Sequence, residues 1–232
     1  MSEPDLRGTE AQTAFFDRQA GHWSQCHYGP QGGMVPRIAR FADALADLVP
    51  APADILDYGC GTGDIAAALA ARGYRVEARD MSPKMIEQAR TLHAASGVRF
   101  VVVEPANLSL GERAFDAVLC SSVLEYVQNL PETLRSLANA LKPGGWLLAT
   151  VPNIHHPLRR QEAAQRAMMR SAFMRSLVRV TPWRATFETQ WLSHNRLSVS
   201  DWAALLRDAQ LRPVWRDCQD HPLTLLFGQR SP

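Results

Sequence analysis

The segment Asp54-Ile-Leu-Asp-Tyr-Gly-Cys-Gly-Thr-Gly-Asp64 decides the fold of this 232-residue chain. Residues 55–58 are a short apolar run typical of a buried strand, and an alanine-rich helical segment follows the segment. Three glycines, Gly59, Gly61 and Gly63, lie between the two. Because glycine has no side chain, such a turn can bring bare backbone against a ligand. The segment predicts a strand–turn–helix unit that holds a ligand on its turn.

Strands and helices continue to alternate on both sides of this unit. Residues 75–79 predict a second strand that ends at Asp80, and Ser82 followed by Pro83 is typical of the start of a helix. Further apolar runs predict strands at 98–103, 115–120, 147–151, 211–217 and 223–229. The last two are joined by too few residues for a helix, so they should pair antiparallel. We therefore expect an α/β protein with a doubly wound, mainly parallel sheet.

Two acidic residues indicate which kind of ligand the turn holds. A dinucleotide site has the spacing G-x-G-x-x-G and places a pyrophosphate at the helix N-terminus. Here the spacing is G-x-G-x-G, and the carboxylate of Asp57 stands just before the turn, where it favours a cationic group. Asp80 ends the next strand, where a carboxylate can bind both hydroxyls of a ribose. A cationic nucleoside without phosphate fits best, a nicotinamide dinucleotide is disfavoured, and a purely structural turn is the alternative.

The composition excludes several classes of protein. Hydrophobic residues make up 46% and charged residues 21% of the chain, which is typical of a globular fold. No run of 18 apolar residues occurs, and the first residues do not resemble an export signal, so we expect a cytoplasmic protein without stable membrane insertion. The four cysteines share no short spacing, which argues against a zinc site or a disulfide framework.

The basic residues are concentrated in one part of the chain. Eight arginines fall within residues 159–196 beside only Glu162 and Glu188, which gives this stretch a net charge of +6. An excess of this size is too local for a nucleic-acid-binding surface, so no nucleic-acid partner is expected. It can still determine the charge of one pocket. The regular alternation of strands and helices is also interrupted here, which predicts a helical insertion with a helix over residues 161–180.

Four motifs, taken together, resemble the successive motifs of class I S-adenosylmethionine-dependent methyltransferases. They are residues 55–63, 78–85, 115–127 and 141–145. The nearest branch includes the ubiquinone-biosynthesis O-methyltransferases. The resemblance implies a seven-stranded sheet whose last strand is antiparallel, with the cofactor across the carboxyl ends of the first four strands. It also suggests four regions: a helical lid (1–48), a cofactor-binding core (49–152), a substrate-cap insertion (153–197) and the end of the core sheet (198–232).

The resemblance assigns the cofactor S-adenosyl-L-methionine, with S-adenosyl-L-homocysteine as the product, to particular residues. Gly59 and Gly61 would line its methionyl part, Asp57 would hold the ammonium group directly or through water, and Asp80 would bind the ribose. Arg37 resembles an arginine that pairs with the methionine carboxylate. A solvated surface arginine is the alternative for Arg37.

The adenine end of the cofactor would meet residues that follow the second, third and fourth strands. Met81 would pack on the adenine, Glu104 would receive its amino group, and the backbone of Ser121 would touch the cofactor. Relatives often use a backbone N–H just after the adenine-binding acid, but Pro105 has none. The adenine ring would then bond to Ala106, its neighbour Asn107, or water.

The resemblance breaks down at a metal site. The quinone-pathway enzymes hold a divalent metal with a Glu-x-x-Glu-His cluster after strand four. This chain has Ser122, Glu125 and Tyr126 at the corresponding places. One carboxylate among three positions is a poor magnesium site, so no metal is expected.

Methyl transfer from a sulfonium requires an aligned nucleophile and, for a phenol or enol, benefits from a nearby base. Histidine is the first type of residue to consider. His155 and His156, just past strand five, are the preferred candidates, with His194 at the end of the insertion and His22 in the N-terminal helix as others. A histidine that only hydrogen-bonds its own loop is the alternative, and positioning without any base is a further one.

The acceptor is expected to be a small molecule held between the N-terminal helix and the insertion. The aromatic residues Phe16, Trp23 and Tyr28 suggest a lid, with an ordinary packing helix as the alternative. Methionines and arginines in the insertion suggest an apolar or aromatic acceptor with an acidic group, unless those arginines form only a solvated face. O-methylation in a biosynthetic pathway is the leading hypothesis. A carbon- or nitrogen-directed methyltransferase and a catalytically silent cofactor-binding module are the alternatives.

Overall fold

The computed structural model describes residues 8–28, 35–104, 110–168, 192–215 and 221–232. The helices within these ranges are α1 (Thr9–Tyr28), α2 (Val35–Ala46), α3 (Asp64–Ala70), α4 (Pro83–Leu92), α5 (Leu130–Ala140), α6 (Pro157–Met168) and α7 (Val199–Asp208). The strands are β1 (Asp54–Tyr58), β2 (Arg75–Asp80), β3 (Arg99–Val102), β4 (Phe115–Ser121), β5 (Leu141–Pro152), β6 (Leu211–Trp215) and β7 (Leu223–Arg230).

All seven strands form one sheet in the order β3-β2-β1-β4-β5-β7-β6. Neighbouring strands from β3 to β5 run parallel, whereas β7 runs antiparallel to both β5 and β6. The predicted seven-stranded, mainly parallel sheet with an antiparallel last strand is confirmed. The strand order reverses between β1 and β4, which is the point in such sheets where ligands bind at the carboxyl ends.

The sheet is covered on both faces. Ile55 and Leu56, adjacent residues of β1, are both fully buried but belong to two separate clusters of core side chains. One cluster contains side chains of α2, α3 and α4, and the other contains side chains of α5 and α7. Adjacent strand residues point to opposite faces, so a strand between two helical layers carries apolar residues on both of its faces.

The helix that follows the insertion begins where its sequence signals it. Ser198 caps α7 by accepting a hydrogen bond from the backbone N–H of Asp201, whose side chain reaches back to the N–H of Ser198. This reciprocal pair satisfies two donors that a helix N-terminus otherwise leaves unpaired. The cap fixes the point at which the chain returns to the sheet.

Two predicted boundaries differ from the structure. β5 begins at Leu141, six residues before the predicted start, because Leu141 already pairs with Phe115 of β4 and the register then shifts before Trp146 pairs with Ala117. The first helix of the insertion begins at Pro157 rather than at residue 161. Proline suits the first helical turn because its missing N–H would be unpaired there in any case. The rest of the predicted insertion helix lies outside the described residues.

The N-terminal helix is bonded to the loops at the carboxyl edge of the sheet. Ser24 of α1 donates to the Asp64 carboxylate at the start of α3, 2.7 Å away. Asp17 accepts hydrogen bonds from the hydroxyl of Ser82 and, at 3.3 Å, from the backbone N–H of Lys84, at the start of α4. Helix α1 therefore lies across the ends of β1 and β2.

The described residues contain no membrane-spanning helix and no cluster of metal ligands. None of the helices in that part of the chain is both long enough and apolar enough to cross a membrane. The same residues bring no three His, Cys, Asp or Glu side chains together as ligands for a metal ion. The expected absence of a metal stays a prediction.

The turn between β1 and α3 predicts a measurable difference between two glycine-to-alanine variants. Gly63 has a φ of +79°, and a Cβ there would lie 2.5 Å from the Phe100 ring, whereas Gly97 has a φ of +73° with no atom within 4 Å of its Cβ position. Gly97→Ala should lower the free energy of unfolding by about 1 kcal/mol through backbone strain alone. Gly63→Ala should lower it by about 3 kcal/mol because overpacking adds to that strain. Urea denaturation measures both values, and equal losses would contradict the packing argument.

Candidate functional site

A cavity of about 760 Å³ opens at the carboxyl edge of the sheet, where the strand order reverses. Its walls come from α1, the β1–α3 turn, the end of β2, the loop after β4, and both ends of the insertion. The predicted cofactor-binding residues that line it are Arg37, Asp57, Gly59, Gly61, Asp80, Met81 and Ser121. The fold therefore brings together residues spread over 85 positions of the chain.

The glycine turn is held rigidly against its neighbours. The backbone N–H of Gly59 donates to the carbonyl oxygen of Arg79 at 2.7 Å, and Gly59 has a φ of +73°. A Cβ at this position would lie 2.3 Å from a methyl carbon of Val123, in the loop after β4. Glycine is therefore required at residue 59 both by the backbone conformation and by the close approach of β4.

Asp57 is a buried carboxylate without a hydrogen-bond donor. Its exposure is 1%, and neither carboxylate oxygen accepts a hydrogen bond from the described residues. Burial, together with the nearby charge of Asp80, raises the pKa of Asp57 to about 7. Because a buried carboxylate is costly without a partner, the site is suited to a cationic group that also donates hydrogen bonds.

Asp80 is held in a fixed orientation by the backbone. One carboxylate oxygen accepts from the N–H of Gly61 and the other from the N–H of Ser82, both at 2.9 Å. Burial raises the pKa of Asp80, while these backbone hydrogen bonds act in the opposite direction. Each oxygen keeps a lone pair for a second donor, so the carboxylate can bind a pair of neighbouring hydroxyl groups.

Helix α1 supplies an aromatic wall. Phe16 packs edge-to-face against Trp23 and Tyr126, with ring centroids 5.9 Å and 5.6 Å apart. The indole nitrogen of Trp23 lies 3.4 Å from the place a Cβ would take on Gly61, so this side chain covers the glycine turn. Phe16, Trp23 and Tyr28 all line the cavity. Opening and closing of this helix as a lid stays a prediction.

The two ends of the insertion meet in a charged cluster at another wall of the cavity. Glu162 of α6 accepts hydrogen bonds from Arg159 at 2.9 and 3.0 Å and from Arg196 at 2.8 Å. Arg196 also donates to the carbonyl oxygen of Ser193, and all four residues line the cavity. The cluster joins the beginning of the insertion to its end.

Glu125 is a second buried carboxylate, next to this cluster. Its exposure is 3%, and one of its oxygens accepts a hydrogen bond from the hydroxyl of Ser193. Burial raises the pKa of Glu125, whereas the Ser193 hydrogen bond and the charges of Arg159, Arg196 and Arg37 lower it. A carboxyl group with a raised pKa in a cavity is a candidate proton acceptor at neutral pH.

Several predicted site residues lie away from the cavity or outside the described residues. Glu104 is exposed and does not line the cavity, and Ala106 falls outside the described residues. His155 is exposed, and His156 accepts a hydrogen bond from the N–H of Leu158 at the start of α6.

The third candidate histidine is engaged with the backbone. Both ring nitrogens of His194 lie 2.9 Å from carbonyl oxygens, those of Leu192 and Val127. None of the three histidines proposed as catalytic lines the cavity. Their catalytic role stays a prediction.

One histidine that lines the cavity was not predicted from the sequence. His27 packs on Trp23 with ring centroids 4.2 Å apart, and burial, together with the charge of Arg37, lowers its pKa. The spacing of four residues from Trp23 on one helix could have indicated that the two share a face. Ser193 and Glu162 were also missed, because nothing local in the sequence shows that the ends of the insertion meet.

Curated relatives resemble part of this chain. The chain is 37% identical over 111 residues to a ubiquinone biosynthesis O-methyltransferase of Xanthomonas axonopodis, covering 47% of this chain and 46% of the relative. It is 32% identical over 144 residues to the protein of that name in Chromobacterium violaceum, covering 60% of this chain and 61% of the relative. The matches thus span about half of these relatives.

The fold has close counterparts among solved structures. Magnesium protoporphyrin IX methyltransferase from Synechocystis PCC 6803, solved with bound SAH, matches 97% of this chain and 100% of that chain at a TM-score of 0.68 and 17% identity. An O-methyltransferase family protein from Burkholderia thailandensis matches 100% of this chain and 65% of that chain at a TM-score of 0.65 and 22% identity. At these identities the likeness concerns the fold.

A protein family described as a methyltransferase domain matches residues 31–215, which is most of the chain. The matched region includes the glycine turn, both aspartates of the cavity and the charged cluster at the ends of the insertion. The chain belongs to this methyltransferase-domain family, as its resemblance to the class I S-adenosylmethionine-dependent methyltransferases predicts.

Proposed function

We propose that this protein transfers a methyl group from S-adenosyl-L-methionine to a hydroxyl oxygen of a small biosynthetic molecule. The observation that carries the proposal is the unpaired, buried carboxylate of Asp57 beside the oriented carboxylate of Asp80 in one cavity. Family membership and the names of the relatives support the type of reaction.

The residues present fit this cofactor. Asp57 offers two unpaired oxygens to the ammonium group, and Asp80 offers its remaining lone pairs to the ribose hydroxyls. Met81 and Met85 line the cavity beside Asp80, where flexible apolar side chains suit a flat base. When bound, the cofactor supplies an electrophilic methyl group on a sulfonium. The protein contributes binding, alignment and exclusion of water.

The acceptor side of the cavity contains its own acid–base group. Glu125 follows Val123, which packs on the glycine turn, so its carboxylate belongs to the loop nearest the cofactor residues. A raised pKa brings a carboxylate closer to the range in which it accepts a proton from a phenol or enol during transfer. We propose Glu125 for this role ahead of His155, His156 and His194, because only Glu125 among these four lines the cavity.

A binding and labelling experiment tests the proposal directly. Calorimetry should show binding of S-adenosylhomocysteine and none of NAD, because Asp57 would repel a diphosphate. Incubation with methyl-labelled S-adenosylmethionine and a cell extract, followed by identification of the labelled product, should yield an O-methyl compound. A carbon- or nitrogen-methylated product would identify the alternative activity. Cofactor binding without any labelled product would favour the silent binding module.

The Asp57→Asn variant should change stability and binding in opposite directions. The raised pKa of about 7 means that the folded protein holds this proton more tightly than the unfolded chain, so stability is lost as pH rises from about 4 through 7. The difference in unfolding free energy between the variant and the wild type should therefore grow by about 2–3 kcal/mol, in favour of the variant, from pH 5 to pH 8. It should also bind S-adenosylhomocysteine about 10–100-fold more weakly, since a charged hydrogen bond is lost.

Urea denaturation at the two pH values and calorimetry measure these effects. Asp208→Asn, at an exposed position of α7, is the matched control and should change neither quantity. A variant at residue 57 that is less stable at pH 8 than the wild type would show that the carboxylate is paired.

The Glu125→Gln variant should lose far more turnover than the double variant His155→Ala/His156→Ala. Removal of a general base costs about 10²–10⁴-fold in rate, and the acidic limb of the kcat–pH profile should flatten with it. The double histidine variant should keep turnover within about threefold. Labelled methyl transfer at several pH values measures both. If the double variant loses turnover while Glu125→Gln retains it, the histidines are the acid–base groups.

A further inference from the structure

Two arginines at the insertion end of the cavity share a single carboxylate. Arg159 and Arg196 are largely buried, with side-chain exposures of 17% and 12%, and both pair with Glu162, whose exposure is 14%. Both guanidinium groups line the cavity. Arginine stays protonated in proteins. The two arginines therefore carry one positive charge more than the carboxylate of Glu162 can neutralise.

Arg37 and Glu125 add one positive and one negative charge beside the trio, so its excess of one positive charge is unchanged. Arg37 also lines the cavity and makes no ion pair within the described residues, while its Nη1 lies 3.4 Å from the hydroxyl oxygen of Ser121. Glu125 is the neighbouring acid, and its carboxylate accepts a hydrogen bond from the Ser193 hydroxyl. An uncompensated guanidinium in a partly desolvated site is costly, and an anionic ligand removes that cost.

Each of the two arginines also has N–H groups that are available to a ligand. Arg159 uses Nη1 for Glu162 and Nε for the carbonyl oxygen of Pro222. Arg196 uses Nη1 for Glu162 and Nε for the carbonyl oxygen of Ser193. Within the described ranges, neither Nη2 group donates to a protein acceptor. Two such N–H groups can bind the two oxygens of one carboxylate.

The other residues that line the cavity indicate the chemical character of the rest of the ligand. Phe16 and Tyr126 form an edge-to-face pair on the wall built by α1 and the loop after β4. Aromatic side chains bind flat, apolar molecules well, and their ring edges favour aromatic ligands. A single carboxylate balances the single excess charge of the trio, whereas a phosphate would exceed it.

We propose that Arg159 and Arg196 form a carboxylate-binding subsite and that the methyl acceptor is a hydroxylated aromatic or apolar carboxylic acid. This inference rests on the proposed function, because it names the acceptor class of the same cavity. Glu162 holds the two guanidinium groups together but competes with the ligand for their charge. Glu125 then faces the acceptor from the loop after β4.

Calorimetry on the full chain saturated with S-adenosylhomocysteine tests the subsite. The probes are 4-hydroxycinnamate, salicylate and 4-hydroxyphenylacetate, each beside its uncharged amide. At least one acid should bind more than tenfold more tightly than its amide. Arg196→Gln should remove that preference, and Arg160→Gln, at an exposed position outside the cavity, should keep it.

A second variant separates recognition from a structural effect. Glu162→Gln removes the competing negative charge but keeps a hydrogen-bond acceptor, so it should strengthen binding of the acid about threefold or more. A purely structural role for the trio predicts weaker binding instead, which would overturn the proposal. So would the absence of any acid that binds more tightly than its amide, including the case in which no probe binds. Failure of the proposed function has other readouts, because either S-adenosylhomocysteine itself would not bind or the labelled methyl group would not be transferred to an oxygen.

Discussion

The burial of Asp57 without a hydrogen-bond donor among the described residues is the constraint on which the rest of the site depends. Its carboxylate lies near the end of β1, which has a parallel neighbour on each side. A fold that tolerates such a group gives up stability in exchange for binding, which is common at functional sites. The second aspartate is treated differently, since the backbone satisfies both its oxygens and thereby orients it.

The sheet explains why these groups meet. β1 lies between β2 and β4, and all three end at the same edge, so the residues that follow them converge although they are far apart in the chain. The glycine turn keeps this edge open to a ligand. Val123 packs against Gly59 and Phe100 packs against Gly63, while Gly59 and Gly61 line the cavity.

The core of the fold and the cofactor half of the site could be predicted because both depend on local patterns. The alternation of apolar runs with capped helices determines the sheet, and Asp57, Gly59 and Asp80 follow from the ends of two strands. The acceptor half depends on tertiary contacts. Arg196 bonds to Glu162 and Ser193 bonds to Glu125 only because the two ends of the insertion come together, and no spacing rule in the sequence indicates these contacts.

The histidines show a further reason for the limits of sequence reasoning. Position after a parallel strand places a residue at the correct edge of the sheet, but it does not decide where the side chain goes. His155 follows β5 and is exposed, whereas both ring nitrogens of His194 lie within hydrogen-bond distance of backbone carbonyl oxygens. His27 reaches the cavity from a helix that is not part of the strand–helix alternation at all.

The attachment of α1 to the starts of α3 and α4 has a consequence for any shortened form of the protein. Ser24 and Asp17 use the same helix starts that follow the two cofactor-side aspartates, so the N-terminal helix and the nucleotide half of the site share their anchor points. A fragment that starts at β1 would retain every strand and both acidic groups. It would nevertheless lack the aromatic side chains that α1 contributes to the cavity, so solvent would reach the glycine turn that Trp23 covers.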